Sequence, residues 1–457
     1  MTFKLPDNID PSKVFLINRS ELEGRIDPNQ YHIERKEAIA KLKKNNQLLK
    51  LKDVVKNVKT TTTQVSESDI YIGLENITSN TGEYIETKDK LSISSAGIFK
   101  KGQILFPKLR PYLNKVYLAE FDGICSTEFH IFKSDTFLNE FLTIYLRSDL
   151  IVNQTKHLMT GNTLPRLQTD DINNLPVPNI SIETQQQIVD LYNIAYSQKQ
   201  QKEAQAKQLL ESIDAYLLKE LGITLPEKDN SLTNRIFRTS FKEISGGRFD
   251  PDYITKHNYL VSRESKFDFI DFKNVLIKSP QYGANEEAID GDLNNDTRYI
   301  RITDIDDWGN LKKDTWKTAN NINPVYILNN DDILIARTGA TVGKSFIYKK
   351  NKFQAIFAGY MIRFIIDKKK ANPDYIFYYL NSSFYKYWIS AIQRPSAQPN
   401  INSEEYKSLP IALPPLEKQT EIVNYILSIR NQAKQLQKEA LGILDKAKQQ
   451  VEKIILG

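Results

Sequence analysis

"GATVGKS" at residues 339–345 sets two glycines, a lysine and a serine close together. Such a set could cradle a phosphate on backbone N–H groups while the lysine neutralises it. The spacing argues against this, because a phosphate loop needs four residues between its glycines and this stretch has three, Ala340, Thr341 and Val342. It also leads into "FIYKKNKF", which reads as strand and turn rather than the required helix. "PDYITKHNYLVSRESK" (251–266) holds Pro251-Asp252 and then Glu264 and Lys266, the skeleton of a magnesium-dependent nuclease. That spacing is permissive in a chain with 62 Lys+Arg and 56 Asp+Glu, so chance matches are expected.

"NPVY" (323–326) has part of the Asn-Pro-Pro-aromatic loop of DNA amino-methyltransferases but lacks the second proline. No Gly-rich strand-to-helix turn for a methyl donor accompanies it, so it reads as a turn before a strand "VYIL". A single cysteine, Cys125, excludes an internal disulfide and a cysteine-built zinc site. His32, His130, His157 and His257 are scattered without metal-ligand spacing, and no Ser-His-Asp or Cys-His set assembles. The sequence therefore reads as a chain without its own catalytic, cofactor or metal site, and not an enzyme by itself.

The elements that would carry such side chains follow from the length and a repeat. At 457 residues the chain predicts two to four domains, and 40% hydrophobic with 26% charged residues is ordinary for a globular protein. The net charge of +6 is compatible with nucleic acid without demanding it. No run approaches roughly 18 apolar residues, and "MTFKLPDNID" has no secretory pattern, which predicts a cytoplasmic protein away from membranes.

The chain is written twice. "GRIDP" (24–28) returns as "GRFDP" (247–251), and "YIGLENI" (71–77) as "YIRITDI" (299–305). "GQILFPKLRPYLNKVYL" (102–118) returns as "DDILIARTGATVGKSFI" (331–347), so the glycine-rich stretch has a counterpart, "RPYLNKV", with no glycine. The first copy also has Asn29 where the second has Asp252, which removes a ligand from any nuclease centre. "TLPRLQTDDINNLPVPNISIETQQQIV" (163–189) returns as "AQPNINSEEYKSLPIALPPLEKQTEIV" (397–423).

Each copy predicts short strands and a hairpin-type turn at Asp122-Gly123. A helix carrying Phe141, Tyr145 and Leu146 (Tyr375, Tyr379 and Leu380 in copy two) follows, and then a Pro-rich strap whose prolines are expected to stop regular structure and stiffen the exit. The polar tracts 59–68 and 279–296 read as loops. Each copy ends in a long helix. Ile422, Ile426, Ile429, Ala433, Leu436, Ala440, Ile443 and Ala447 form a coiled-coil seam. It is matched by Ile188, Tyr192, Ala195, Lys199, Lys202, Ala206, Leu209 and Ile213. The two mid-seam lysines are expected to lay their stems on apolar surface and reach water with their amines. Two such helices would most simply pair antiparallel.

"DILIARTGATVGK" or "QILFPKLRPYLNK", followed by "LPIALPPLEKQTEIV" and a long helix, resembles the specificity subunit of type I restriction–modification enzymes over essentially the whole chain. The first copy departs at "VPNISIETQQQIV", which lacks the paired prolines but keeps Leu175, Pro176, Glu183, Gln185 and Ile188 in register. The resemblance implies an α+β fold: two pseudo-twofold related α/β target-recognition domains joined by two long antiparallel coiled-coil helices. The expected division is 1–182 for recognition domain 1, 183–222 for spacer helix 1, 223–416 for recognition domain 2 and 417–457 for spacer helix 2.

It further implies that each domain reads half of an interrupted double-stranded DNA sequence, while the helices set the spacing and dock methyltransferase subunits. S-adenosylmethionine, ATP and Mg would belong to those methyltransferase subunits and to ATP-dependent restriction subunits. Exposed basic and polar side chains in loops are the candidate DNA contacts: Lys108, Arg110, Tyr112 and Lys115 in copy one, Arg337, Thr338, Lys344 and Ser345 in copy two, and Arg166 and Arg394 in flanking segments. A bipartite DNA-binding regulator without enzymatic partners, or a coiled-coil protein-binding scaffold, are the alternatives on the same residues.

Overall fold

The computed structural model describes residues 6, 9–10, 13–22, 26–66, 69–87, 95–161, 163–226, 251–292, 295–306, 308–312, 315–350, 353–393 and 399–457, with isolated positions between 236 and 240. Its residues fall into two compact units, 1–203 with 437–457, and 204–436. The fold is α+β.

In the first unit the strands are β1 (Leu48–Lys50), β2 (Lys56–Val58), β3 (Thr61–Thr62), β4 (Tyr71–Ile72), β5 (Ala96–Phe99), β6 (Ile104–Pro107), β7 (Tyr117–Leu118), β8 (Gly123–Ser126), β9 (Phe129–Lys133) and β10 (Pro176–Pro178). They form an antiparallel sheet β2-β9-β6-β7, a sheet β3-β5-β8-β4 in which β4 and β8 are parallel, and the pair β1-β10. The uninterrupted apolar run of β6 is explained by two cores. Ile104 and Phe106 pack among the helices with Phe141 and Tyr145, while Leu105 packs with Ile72, Phe99 and Ile131 on the other face.

The second unit repeats this plan with β11 (Phe269–Asp271), β12 (Gln281–Tyr282), β13 (Ala288–Asp290), β14 (Arg298–Ile300), β15 (Lys317–Ala319), β16 (Ile333–Ala336), β17 (Ser345–Ile347), β18 (Ala355–Phe357), β19 (Met361–Phe364) and β20 (Pro410–Ala412). The sheet β12-β19-β16-β17, the parallel pair β14-β18 and the pair β11-β20 match their counterparts in the first unit. Side-chain anchors repeat as well. Tyr145 donates from its hydroxyl to the Pro176 carbonyl at 2.6 Å, and Tyr379 donates to that of Pro410 at 2.8 Å.

Four local expectations need correction. Asp122-Gly123 joins two different sheets and is not a hairpin; Gly123 opens β8, where a Cβ would lie 2.7 Å from the Ile70 carbonyl oxygen. The Pro-rich straps are strands, β10 and β20, tolerated because each lies in a two-stranded pair whose edge needs no proline N–H. Both polar tracts hold strands, β3 in one and β12 and β13 in the other, so side-chain polarity there marks sheet edges rather than loops. "NPVY" is a 3-10 turn, Pro324–Tyr326, capped by the Asn323 side chain, and "VYIL" is not a strand.

The long helices run Ile182–Leu221 (40 residues) and Leu416–Leu456 (41 residues). In the first unit Ile188 and Tyr192 pack with Leu444, Val451 and Ile455, and Lys202 pairs with Glu439 at 2.6 Å. In the second, Leu217 and Leu221 pack with Ile422 and Ile426, and Glu220 pairs with Lys418 at 2.7 Å. Rising numbers meet falling ones in both units, so the pairing is antiparallel.

Each helix start is tied down by a buried glutamine. Gln185 accepts from the Leu138 N–H at 2.9 Å and donates to the Ile180 carbonyl at 3.1 Å; Gln419 does the same with Asn372 (2.7 Å) and Pro414 (2.7 Å). No helix among the described residues is long and apolar enough to cross a membrane.

Candidate nucleic-acid interface

The turn after β6 carries four of the candidate residues. Its backbone is stapled to the segment before the helix Thr169–Asn173: the Lys108 carbonyl accepts from the Leu167 N–H at 2.9 Å, and the Arg110 N–H donates to the Pro165 carbonyl at 2.8 Å. The structure thus brings Lys108, Arg110 and Arg166 together. Arg110 is exposed in the left-handed region, φ 48°, where a side chain costs about 1 kcal/mol. Tyr112 is 44% exposed on the 3-10 turn Pro111–Leu113, and Asn114 closes it at φ 50°. The Arg166 guanidinium grips Glu128 with two bonds, 3.1 and 2.7 Å. Lys115 turns back and donates to the Leu74 carbonyl at 2.8 Å.

The turn after β16 has the same backbone. The Arg337 carbonyl accepts from Ile401 at 2.9 Å and Gly339 donates to Pro399 at 3.0 Å. Gly339 and Gly343 take the left-handed positions, φ 83° and 86°, that Arg110 and Asn114 take in copy one. The glycines of "GATVGKS" thus serve a tight turn into β17 rather than a phosphate. Thr338 bridges Asn400, and the Arg337 guanidinium lies 4.8 Å from the Tyr282 ring centre with its Nε–H unpartnered. Lys344 donates to the Ile305 carbonyl at 2.7 Å, as Lys115 does to its own 3-10 turn.

Ser345 is not at the surface. It is 1% exposed within β17, donates to the Leu380 carbonyl at 3.3 Å and accepts from Asn381 at 2.9 Å, because the strand's alternation points it inward. Arg394 lies outside the described residues.

Several neighbours of these turns escaped sequence reading. His130 on β9 faces Lys108; its pKa is pushed down to about 4, first by burial and then by Lys108 and Lys59. Asn57 lies 2.8 Å from its Nδ1. Tyr282 and Tyr360 flank Arg337, the latter through its carbonyl at 3.0 Å. All arrive through strand pairing, which leaves no local signal.

The other chemical fragments stay apart from the turns. Glu264 is exposed after the helix Pro251–Ser262, and Lys266 is tethered to the Lys219 carbonyl at 3.0 Å. Two of the scattered histidines do meet. His32 and His157 stack at 3.8 Å with Glu34 beside them, all ligand atoms within 4.8 Å. Glu34 is already bonded to Lys156 and His157, which hold its pKa at about 2, so a cation would have to displace the lysine.

With this geometry in view, residues 43–212 and 284–441 match the family described as type I restriction modification DNA specificity domain. The type I restriction enzyme EcoDI specificity subunit of Escherichia coli is 33% identical over 93 residues, which span 20% of this chain and 20% of that protein. The MjaVIII specificity subunit of Methanocaldococcus jannaschii is 24% identical over 332 residues, 69% of this chain and 68% of its own. A solved structure concerned with complex assembly and conformational transition of the type I R-M system superposes with a TM-score of 0.51 at 18% identity, covering 90% of this chain and 96% of that one. One stapled turn lies in each of the two matched segments, and the chain belongs to the type I restriction–modification DNA specificity family.

Proposed function

We propose that this DNA-recognition subunit reads a two-part target, one half with each unit, and that its long helices fix the gap and dock methyltransferase subunits. One observation carries the reading: the same stapled turn occurs in both copies with different side chains on it. Arg110 and Tyr112 stand where the second copy has Gly339 and Thr341, and Arg337 stands where the first has Lys108. A common frame bearing different donors suits two domains that address different bases.

Arg110, Tyr112, Arg337 and Thr338 are the proposed base-side contacts, and Lys108 the phosphate contact. Arg166 acts there once Glu128 releases it. Lys115 and Lys344 hold the turn. Exposed Ile194 (60%), Leu441 (62%) and Tyr425 (49%) on the long helices supply apolar surface for methyltransferase subunits. Those subunits and ATP-dependent restriction subunits bring S-adenosylmethionine, ATP and Mg.

The test is reconstitution with methyltransferase subunits and sequencing of methylated adenines. Arg110→Ala should weaken or relax one half-site and Arg337→Ala the other, by about 1–3 kcal/mol for a bidentate base contact. If either substitution disturbs both halves equally, the assignment of one unit to each half fails.

A further inference from the structure

Lys199 occupies a seam position of the first long helix, yet its amine does not reach water. Its side chain is 6% exposed, and Nζ donates to Glu83 and Glu203, each at 2.9 Å. The Tyr196 hydroxyl donates to the same Glu83 oxygen at 2.8 Å. Glu83 comes from the loop after the 3-10 turn Leu74–Asn76, so this network fastens the globular part of the first unit to its helix. Burial raises the Glu83 pKa, but the bonds from Lys199 and Tyr196 outweigh it and hold the group ionised.

The second copy fastens the equivalent loop at the equivalent turn. The bridges Ile77–Tyr84 and Ile305–Leu311 close matching loops, with Gly82 and Gly309 both at positive φ, which aligns Glu83 with Asn310. Asn310 accepts from Arg430 at 2.9 Å, and Arg430 is the repeat counterpart of Tyr196. The counterpart of Lys199 is Ala433, 1% exposed, so no buried ion pair exists there.

A buried, directional ion pair tolerates little displacement. Moving the loop one helical turn would set Glu83 against Ala195 and leave Lys199 in the seam with Glu203 as its one remaining carboxylate partner. We propose that the Lys199–Glu83 latch fixes the first recognition domain along its helix and so sets how strictly the complex measures the gap between half-sites. Lys199 and Glu83 are positioning residues, and the inference rests on the two-half-site reading above.

Lys199→Met separates position from stability, because methionine suits an apolar seam and Glu83, at 30% exposure, gains water. A reconstituted complex is offered a library of paired half-sites at every gap length. For Lys199→Met the preference for the wild-type gap over gaps one base pair longer or shorter should fall about tenfold, the loss expected for a charge-assisted bond, with the melting midpoint unchanged or raised. Glu83→Gln should lower it less, and Lys199→Arg should restore it. Unchanged gap preference in both Lys199→Met and Glu83→Gln overturns the latch. A wild-type complex that methylates no two-part site instead removes the underlying reading.

Discussion

Burial keeps the His130 imidazole neutral inside the first unit, with its pKa near 4 rather than 6.5. Folding favours the uncharged ring, so its contribution is whole above about pH 6.5 and is lost as pH falls toward 4, a change of about 3 kcal/mol at most. Urea unfolding of wild type and His130→Phe from pH 7.5 to 4.5 checks this: the variant should gain on wild type as pH falls. A difference that stays flat would refute a buried neutral histidine. Cys125 behaves alike in kind, its thiol pushed up to about 12 by burial, which leaves it unreactive in the fold. Neither role was legible in the sequence, because burial of a polar side chain is set by strands distant in the chain. Lys199 shows the same limit. Its place in the seam was readable from the spacing, but its partner Glu83 lies 116 residues away.

The long helices were the most legible elements, since a seam period is a property of consecutive residues. Ile422, Ile426 and Ala440 are each fully buried at positions the spacing named. Strand identity was readable for β6 and β16, but their neighbours were not: β2 pairs with β9 and β12 with β19 through registers no local motif encodes. Because Lys202 faces Glu439, lengthening one helix alone would break the pairing. Matched heptads inserted between Lys202 and Ala206 and between Ala433 and Leu436 keep the seam and add ~10 Å, about three base-pair steps. Methylated targets should then keep both half-sites with a gap longer by about three base pairs. Altered half-sites at the old gap would show that the helices do not set the spacing.

At the scale of the whole molecule, the duplication read from the sequence reappears as matching sheets, matching helix-start glutamines and matching stapled turns. A chain built to supply an address should do no chemistry alone. Purified and given S-adenosylmethionine, ATP and Mg with DNA, it should neither methylate nor cut; methylation by the isolated chain would contradict the reading. The turns also bear on how such a protein acquires new targets. No atom lies within 4 Å of where a Cβ at Gly339 would stand, and Arg110 proves that this backbone accepts a long side chain. Shape and content are thus partly uncoupled: the loop keeps its path with arginine in one copy and glycine in the other, a side chain there costing about 1 kcal/mol of conformational strain. Gly339 is in that sense a blank character, and under the function proposed above, writing arginine there would let selection try a new base contact without first redesigning the sheet beneath it.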